Sequence, residues 1–317
     1  MYRIAILDDY QNKSLQAADW GSIANVEITV FNEFLGHDNR QIVERLLPFE
    51  VLVAMRERTR FHSELLSSLK NLRLLVTAGM RNGAIDMIAA RAQNIDVCGT
   101  EMLGYPAFEH TWALILALTK QLPKEDRVMK AGGWQEGVGI GLNGKTLGVI
   151  GLGKLGEKVA NVGRAFGMKI VAWSPNLTQK RCVDLGIKKV TKEDLFSHSD
   201  VITIHMVLSE STRDLVGADD LAKMKPSSYL VNTSRGPIIN EPALLKVLQT
   251  KKISGAGLDV FNVEPLPKEH LFRQLNNVVL TGHTGYVVAE LYEKVYGQAL
   301  ENIKAWIDKF PVRLLNG

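Results

Sequence analysis

One segment constrains this chain more than any other. Gly151, Gly153 and Gly156 form G-x-G-x-x-G in the run Gly151-Leu-Gly-Lys-Leu-Gly156. An apolar stretch, Thr146 to Ile150, leads into it, and a helix-forming stretch, Glu157 to Phe166, follows. Strand, glycine turn and helix start in that order build a site for a dinucleotide pyrophosphate. The first glycine makes the turn, the second lets backbone approach phosphate, and the third lets helix pack on strand. The helix dipole and its free N–H groups then face the anion. The motif lies nearly halfway along 317 residues. A chain of that length exceeds one usual hydrophobic core, so two domains are expected, with much of one built before the loop.

The residues before the loop alternate short apolar runs with amphipathic ones. Strands are expected at Arg3–Leu7, Glu27–Phe31, Val51–Ala54, Leu72–Thr77 and Asp96–Cys98, and helices at Gln11–Trp20, Asn39–Leu47, Ser63–Ser68 and Ala84–Ala92. Such alternation implies a parallel sheet with helices on both faces. A second α/β series starts after Gly144, with strands near Leu147, Ile170, Val201, Ser228, Ser254 and Val278. Between the series lies a strongly apolar helix, Glu109 to Lys120, followed by the glycine-rich Gly132–Gly141. That helix reads equally as a buried core element and as a domain-crossing or subunit-interface element. The last helix, Val287 to Phe310, follows the final strand and is expected to pack back on the first domain, making that domain discontinuous.

Charge is nearly balanced, 38 basic against 34 acidic residues, with no long run of one sign. This argues against nucleic acid as a partner, which needs a concentrated basic face. Cys98 and Cys182 are far apart and lack metal or redox spacing, so reduced structural thiols and no metal site are expected. The start, Met1 to Asp9, reads as a strand ending in acids rather than a signal peptide. The longest apolar helix core, Trp112 to Leu118, is far short of a bilayer span. The expectation is a soluble cytoplasmic protein with no membrane partner.

Ligands of open parallel sheets bind at the carboxyl ends of strands. Four segments after second-series strands are polar there: Val231–Gly236, Gly257–Phe261, Asn262–Pro265 and Leu280–Tyr286. They offer an arginine, two acids and a histidine. Arginine grips a carboxylate or keto oxygen through forked donors. Histidine exchanges a proton near neutral pH, and a neighbouring carboxylate fixes its tautomer and favours its charged form. Among the seven histidines, His205 competes with His283 because it ends the strand Val201–Ile204. His37, His62, His198 and His270 read as exposed, and His110 as a local or interface residue at a helix start.

Taken together, the motifs Gly151–Gly156, Asn232-Thr-Ser-Arg-Gly236, Leu258-Asp-Val-Phe-Asn-Val-Glu-Pro265 and Thr281-Gly-His-Thr-Gly285 resemble the D-isomer-specific 2-hydroxyacid dehydrogenase family. Their order and spacing agree with it, as do the loop Ala78–Asn82 and the helix start Glu109–Thr111. The resemblance implies an α/β protein of two doubly wound parallel-sheet domains. A Rossmann cofactor domain, 99–285, would be inserted into a flavodoxin-like substrate domain, 1–98 plus 286–317. It implies hydride transfer between NAD(P)H and a small 2-keto acid or D-2-hydroxy acid, glyoxylate or hydroxypyruvate among them. Arg235 would bind substrate, with His283 as acid/base paired to Glu264. Backbone at Gly79 and Met80 would hold the substrate carboxylate, with the hydride-carrying ring in a cleft between domains. The implied cofactor residues are Gly151, Gly153, Lys154, Leu155, Gly156, Thr233, Asp259 and Gly285, and the implied assembly is a homodimer. The family usually has proline where Gly282 and Val207 stand; neither change removes a chemical group.

An NAD site normally carries an acid at the end of the strand after the glycine loop, where it binds the adenosine ribose. Here Ser174 stands in that place, and no acid follows before Asp184. Loss of the carboxylate removes repulsion against a 2′-phosphate, and Ser174, Asn176, Lys180 and Arg181 would supply donors and positive charge, the alternative being that Lys180 and Arg181 only solvate a helix start. NADP is therefore favoured over NAD. Arg56, Arg58 and Arg81 follow first-series strands and read either as surface charges or as ligands for a second anionic group. A dinucleotide-sensing co-repressor of the same superfamily is the alternative function.

Overall fold

The structure is a computed structural model describing residues 1–317. In chain order its elements are β1 (Tyr2–Ile6), β2 (Val26–Val30), α1 (Asn39–Leu46), β3 (Val51–Ala54), α2 (Ser63–Ser68), β4 (Leu74–Thr77), α3 (Met87–Ala92) and β5 (Asp96–Gly99). Then come α4 (Pro106–Thr119), α5 (Leu122–Lys130), β6 (Thr146–Ile150), α6 (Lys154–Ala165), β7 (Lys169–Trp173), α7 (Gln179–Asp184), β8 (Lys188–Lys189) and α8 (Lys192–His198). The chain closes with β9 (Val201–Ile204), α9 (Ala218–Lys223), β10 (Tyr229–Asn232), α10 (Glu241–Gln249), β11 (Gly255–Leu258), β12 (Val278–Leu280) and α11 (Ala289–Ile307). It forms two compact units, Met1–Leu103 with Val287–Gly317, and Gly104–Tyr286.

The first unit holds a five-stranded parallel sheet ordered β2-β1-β3-β4-β5. Every residue of β3 and β4 is buried, as expected of strands covered on both faces. The expected helix over Gln11–Trp20 does not form; turns and a short 3-10 segment at Trp20–Ser22 replace it. The Asp9 carboxylate accepts the backbone N–H groups of Lys13 (3.0 Å) and Ser14 (2.9 Å), and the Trp20 indole donates to the Ser14 carbonyl (2.8 Å). Such local side-chain bonds offer backbone an alternative to the helix ladder. The helix expected at Ala84 starts only at Met87, because the Asp86 side chain caps it by accepting from Ala89 N–H.

After α11 the chain runs beside β5. Gly99 N–H donates to the Arg313 carbonyl (2.9 Å), Leu315 N–H to the Val97 carbonyl (2.7 Å), and buried Asn302 to the Gly99 carbonyl (2.8 Å). Glu101 is also held here, its N–H by Gln298 and its carboxylate by Lys294. These bonds carry the junction to Leu103, a few residues beyond the boundary expected at 98.

The second unit holds a seven-stranded parallel sheet ordered β12-β11-β10-β9-β6-β7-β8. Strand order reverses between β6 and β9, which makes that crevice the binding position of a doubly wound sheet. α4 is a core helix: Trp112, Leu114, Ile115 and Leu118 are buried in one cluster with β6, β7 and α6. Of the two readings of that segment, burial in the unit's own core is the one observed. Strand β8, two exposed lysines, was not expected, since an exposed edge strand carries no apolar signal.

Candidate active site

The glycine loop joins β6 to α6 at the reversal point. Gly151 has φ +91°, and a Cβ there would overlap the carbonyl oxygen of His205 at the end of β9. Gly156 is closed in the same way by the Gly151 carbonyl, whereas nothing lies within 4 Å of a Cβ placed on Gly153. Gly153 is the N-cap of twelve-residue α6, and no side chain caps it. The N–H groups of the first turn, at Lys154, Leu155 and Gly156, therefore have no intrahelical acceptor. An open glycine before an uncapped helix is the form a pyrophosphate cradle requires.

His205 itself is excluded as a proton donor near neutral pH. Burial pushes its imidazole pKa down to about 4, and its Nε2 has no hydrogen-bond partner.

At the end of β7, Ser174 opens a turn in which its carbonyl accepts from Leu177 N–H (3.1 Å). Lys180 and Arg181, on α7, do not stand free. Lys180 pairs with Asp184 (2.8 Å) and Arg181 with Glu157 on α6 (2.6 Å).

Arg235 follows β10 on a turn shaped by Asn232, whose side chain accepts from Ser234 N–H and donates to the Arg235 carbonyl, both at 3.0 Å. The next residue, Gly236, packs directly on the backbone of Phe261. Phe261 N–H donates to Glu264 Oε1 (2.8 Å), and Glu264 Oε2 lies 2.6 Å from His283 Nδ1. The arginine turn, the glutamate loop and the histidine loop are thus tied in sequence. His283 Nδ1 is occupied by the carboxylate, which leaves Nε2 as the ring nitrogen open to chemistry. The ring meets Tyr286 edge-on at 5.7 Å.

His283 adopts φ +54°, an uncommon conformation for a residue other than glycine. Asp259, 1% exposed after β11, holds it there. The Asp259 carbonyl accepts His283 N–H (2.7 Å), Oδ1 accepts Thr281 Oγ1 (2.6 Å) and Thr284 N–H (2.8 Å), and Oδ2 accepts Gly285 N–H (2.9 Å). Thr281 and His110 were not among the expected site residues. His110 Nε2 lies 2.9 Å from Thr281 Oγ1 and 3.3 Å from Asp259 Oδ1. Thr233 Oγ1 lies 2.8 Å from Thr111.

In the first unit Gly79 (φ +101°) and half-exposed Met80 follow β4. Gly79 N–H already donates to Thr100 Oγ1 (3.2 Å). Arg56 lies across this turn toward the Ala78 carbonyl, and Arg58 donates to the Asp8 carbonyl and stacks on Tyr10. Neither arginine is a simple surface charge. His270, expected to be exposed, is half-buried against Glu241 (3.2 Å). No group of three His, Cys, Asp or Glu side chains is arranged to hold a metal, and no helix is long and apolar enough to cross a membrane.

Burial raises the Asp259 pKa, but the bonds from His110, Thr281 and Thr284 lower it further, so the net shift is downward. A folded pKa below the unfolded one contributes stability above the unfolded value, about 3.9, and loses it as pH falls through the folded value. Asp259→Asn is therefore expected to cost about 1–3 kcal/mol at neutral pH. The gap from wild type should narrow in unfolding titrations taken toward pH 3. A gap that stays constant with pH would contradict this account.

The family profile "D-isomer specific 2-hydroxyacid dehydrogenase, NAD binding domain" matches residues 112–285, which hold the glycine loop, Asp259 and the 281–285 loop. The chain is 34% identical over 308 residues to hydroxypyruvate reductase of Thermotoga maritima, covering 95% of this chain and 97% of that one. It is 35% identical over 281 residues to D-3-phosphoglycerate dehydrogenase of Synechocystis sp., covering 88% of this chain but 50% of that one, so it spans about half of that relative's length. A phosphoglycerate oxidoreductase structure from Vibrio cholerae is similar with TM-score 0.92 and 36% identity, over 98% of this chain and 100% of that one. With its two parallel sheets and its nicotinamide-dinucleotide-binding unit, the chain belongs to the D-isomer-specific 2-hydroxyacid dehydrogenases.

Proposed function

We propose that this protein interconverts a small 2-keto acid and the corresponding D-2-hydroxy acid, with glyoxylate and hydroxypyruvate as first candidates. The 2.6 Å pair between His283 and Glu264 carries the reading, because it leaves one imidazole nitrogen free for proton exchange. A bound nicotinamide dinucleotide supplies the hydride. The open Gly153 and the uncapped start of α6, at Lys154, Leu155 and Gly156, fit its pyrophosphate. Thr233, Asp259 and Gly285 complete the cofactor residues of this reading, Asp259 near the nicotinamide carboxamide.

The forked donors of Arg235 hold the substrate's carboxylate and carbonyl oxygen and draw electron density from the carbonyl carbon. His283 Nε2 gives its proton to that oxygen as the alcohol forms, and takes it back in the reverse direction. Glu264, held by Phe261 N–H, keeps Nδ1 engaged and stabilises the charged imidazole. The backbone of Gly79 and Met80 is assigned to the substrate carboxylate. Met80 N–H is the better donor of the two, because Gly79 N–H is engaged by Thr100.

NADPH is the preferred reductant in this reading, because Ser174 replaces the ribose-binding acid. The Lys180–Asp184 pair is exposed and worth about 0.3–0.5 kcal/mol. A 2′-phosphate would readily draw Lys180 away from it, whereas Arg181 is held by Glu157 at 2.6 Å. The test is a screen of small 2-keto acids with NADPH and NADH, followed by Ser174→Asp. Turnover with a higher kcat/KM for NADPH is expected, and Ser174→Asp should reverse that order. A large NADH advantage in the wild type would remove the proposed preference. Tight dinucleotide binding without turnover on any acid would favour the sensing protein instead.

A further inference from the structure

The apolar helix α4 does more than fill the core of its unit. Two of its polar residues, His110 and Thr111, side by side in sequence, reach two different loops. His110 reaches Thr281 and Asp259, which hold the His283 loop. Thr111 reaches Thr233, two residues before Arg235.

The chemistry of these groups sets the direction of each bond. Thr281 has one hydroxyl proton, and at 2.6 Å from Asp259 it is given to that acceptor-only carboxylate. Thr281 Oγ1 must then accept from His110 at 2.9 Å, so His110 carries its proton on Nε2. Thr111 donates to the Ala107 carbonyl (2.8 Å) and therefore accepts from Thr233. Neither bond is needed to seat the helix, since Trp112, Leu114, Ile115 and Leu118 bury it already.

We propose that His110 is a positioning residue. Through Thr281 and Asp259 it holds the left-handed backbone at His283, while the adjacent Thr111 holds the Arg235 turn. One rigid helix then fixes the spacing between the proton donor and the substrate arginine. The ring also packs against Gly285, its Cδ2 3.5 Å from a Cβ placed there, so the brace includes the far end of the same loop. The proposal rests on the assignment of His283 and Arg235 made above.

The test compares His110→Phe, which keeps a flat ring without the donor, with His110→Gln, which restores an N–H at similar reach. Small displacements of reacting groups cost up to about a hundredfold in rate, and His110→Phe is expected to lower kcat on that scale. KM for the keto acid and the dinucleotide dissociation constant should stay near wild type, and His110→Gln should recover most of the loss. A purely structural role would instead lower Tm and scale every constant together. Unchanged kcat in His110→Phe, or no recovery in His110→Gln, overturns the proposal. A second readout does not depend on turnover. The proton shared by His283 and Glu264 should give a downfield NMR signal in wild type and His110→Gln that broadens in His110→Phe. Identical spectra for all three proteins overturn the brace. A wild type without turnover on any keto acid removes the assigned reaction but leaves this spectral comparison to decide the brace.

Discussion

Replacing His283 by alanine is expected to lower kcat by about 10²–10⁴-fold, with dinucleotide affinity retained. The reason is geometric. Nδ1 is taken by Glu264 at 2.6 Å, so in the proposed reaction Nε2 is the nitrogen that gives a proton to the carbonyl oxygen. Neither His205 nor His110 is placed to substitute. His205 has its pKa pushed down to about 4 by burial and is neutral at working pH. His110 Nε2 is engaged with Thr281 Oγ1 at 2.9 Å. The loop itself should survive, because Asp259 holds its backbone through the N–H groups of residues 283, 284 and 285 rather than through the imidazole. Steady-state kinetics beside a fluorescence titration of the dinucleotide separates the two effects. Near-normal turnover in His283→Ala with cofactor bound would discard the assigned mechanism.

The second large effect is expected from one methyl group. A Cβ on Gly236 would overlap the carbonyl of Phe261 and lie 2.6 Å from Asn262 N. These are backbone atoms, so no change of rotamer relieves the contact. Gly236→Ala must push the Arg235 turn away from the loop in which Phe261 N–H holds Glu264. Overpacking of this kind costs about 1–3 kcal/mol, and displacing the Arg235 turn and the Glu264 loop should lower kcat by about a hundredfold in the proposed reaction. The glycine loop on β6 and α6 is not itself part of this contact, so dinucleotide binding should be kept. Thermal unfolding with steady-state kinetics checks both parts. Wild-type Tm and kcat in Gly236→Ala would mean that the two loops adjust independently.

Much of the fold was legible because the signals were local. β3 is expected and observed at Val51–Ala54, and α2 at Ser63–Ser68. A short apolar run between Glu50 and the charged stretch Arg56–Arg58 leaves few alternatives to a strand buried on both faces. Local patterns failed where side chains bonded to nearby backbone, as Asp9 does in place of a helix over Gln11–Trp20. They failed too where an element carries no apolar residue, as in β8.

For the candidate site, the sequence by itself determined the chemistry on offer. It established a glycine loop between strand and helix, an arginine, two acids and a histidine after strands, and no acid at Ser174. These facts depend on residue type and short spacing, which strand and helix geometry convert directly into position. The tertiary structure decided how those groups are held. It joined Asp259 to residues 281–285, brought His110 to Thr281 across 171 positions, and committed Arg181 to Glu157. It also buried His205 and set Gly236 on Phe261. Contacts between segments far apart in sequence depend on how whole elements pack, and no local pattern of residues records that.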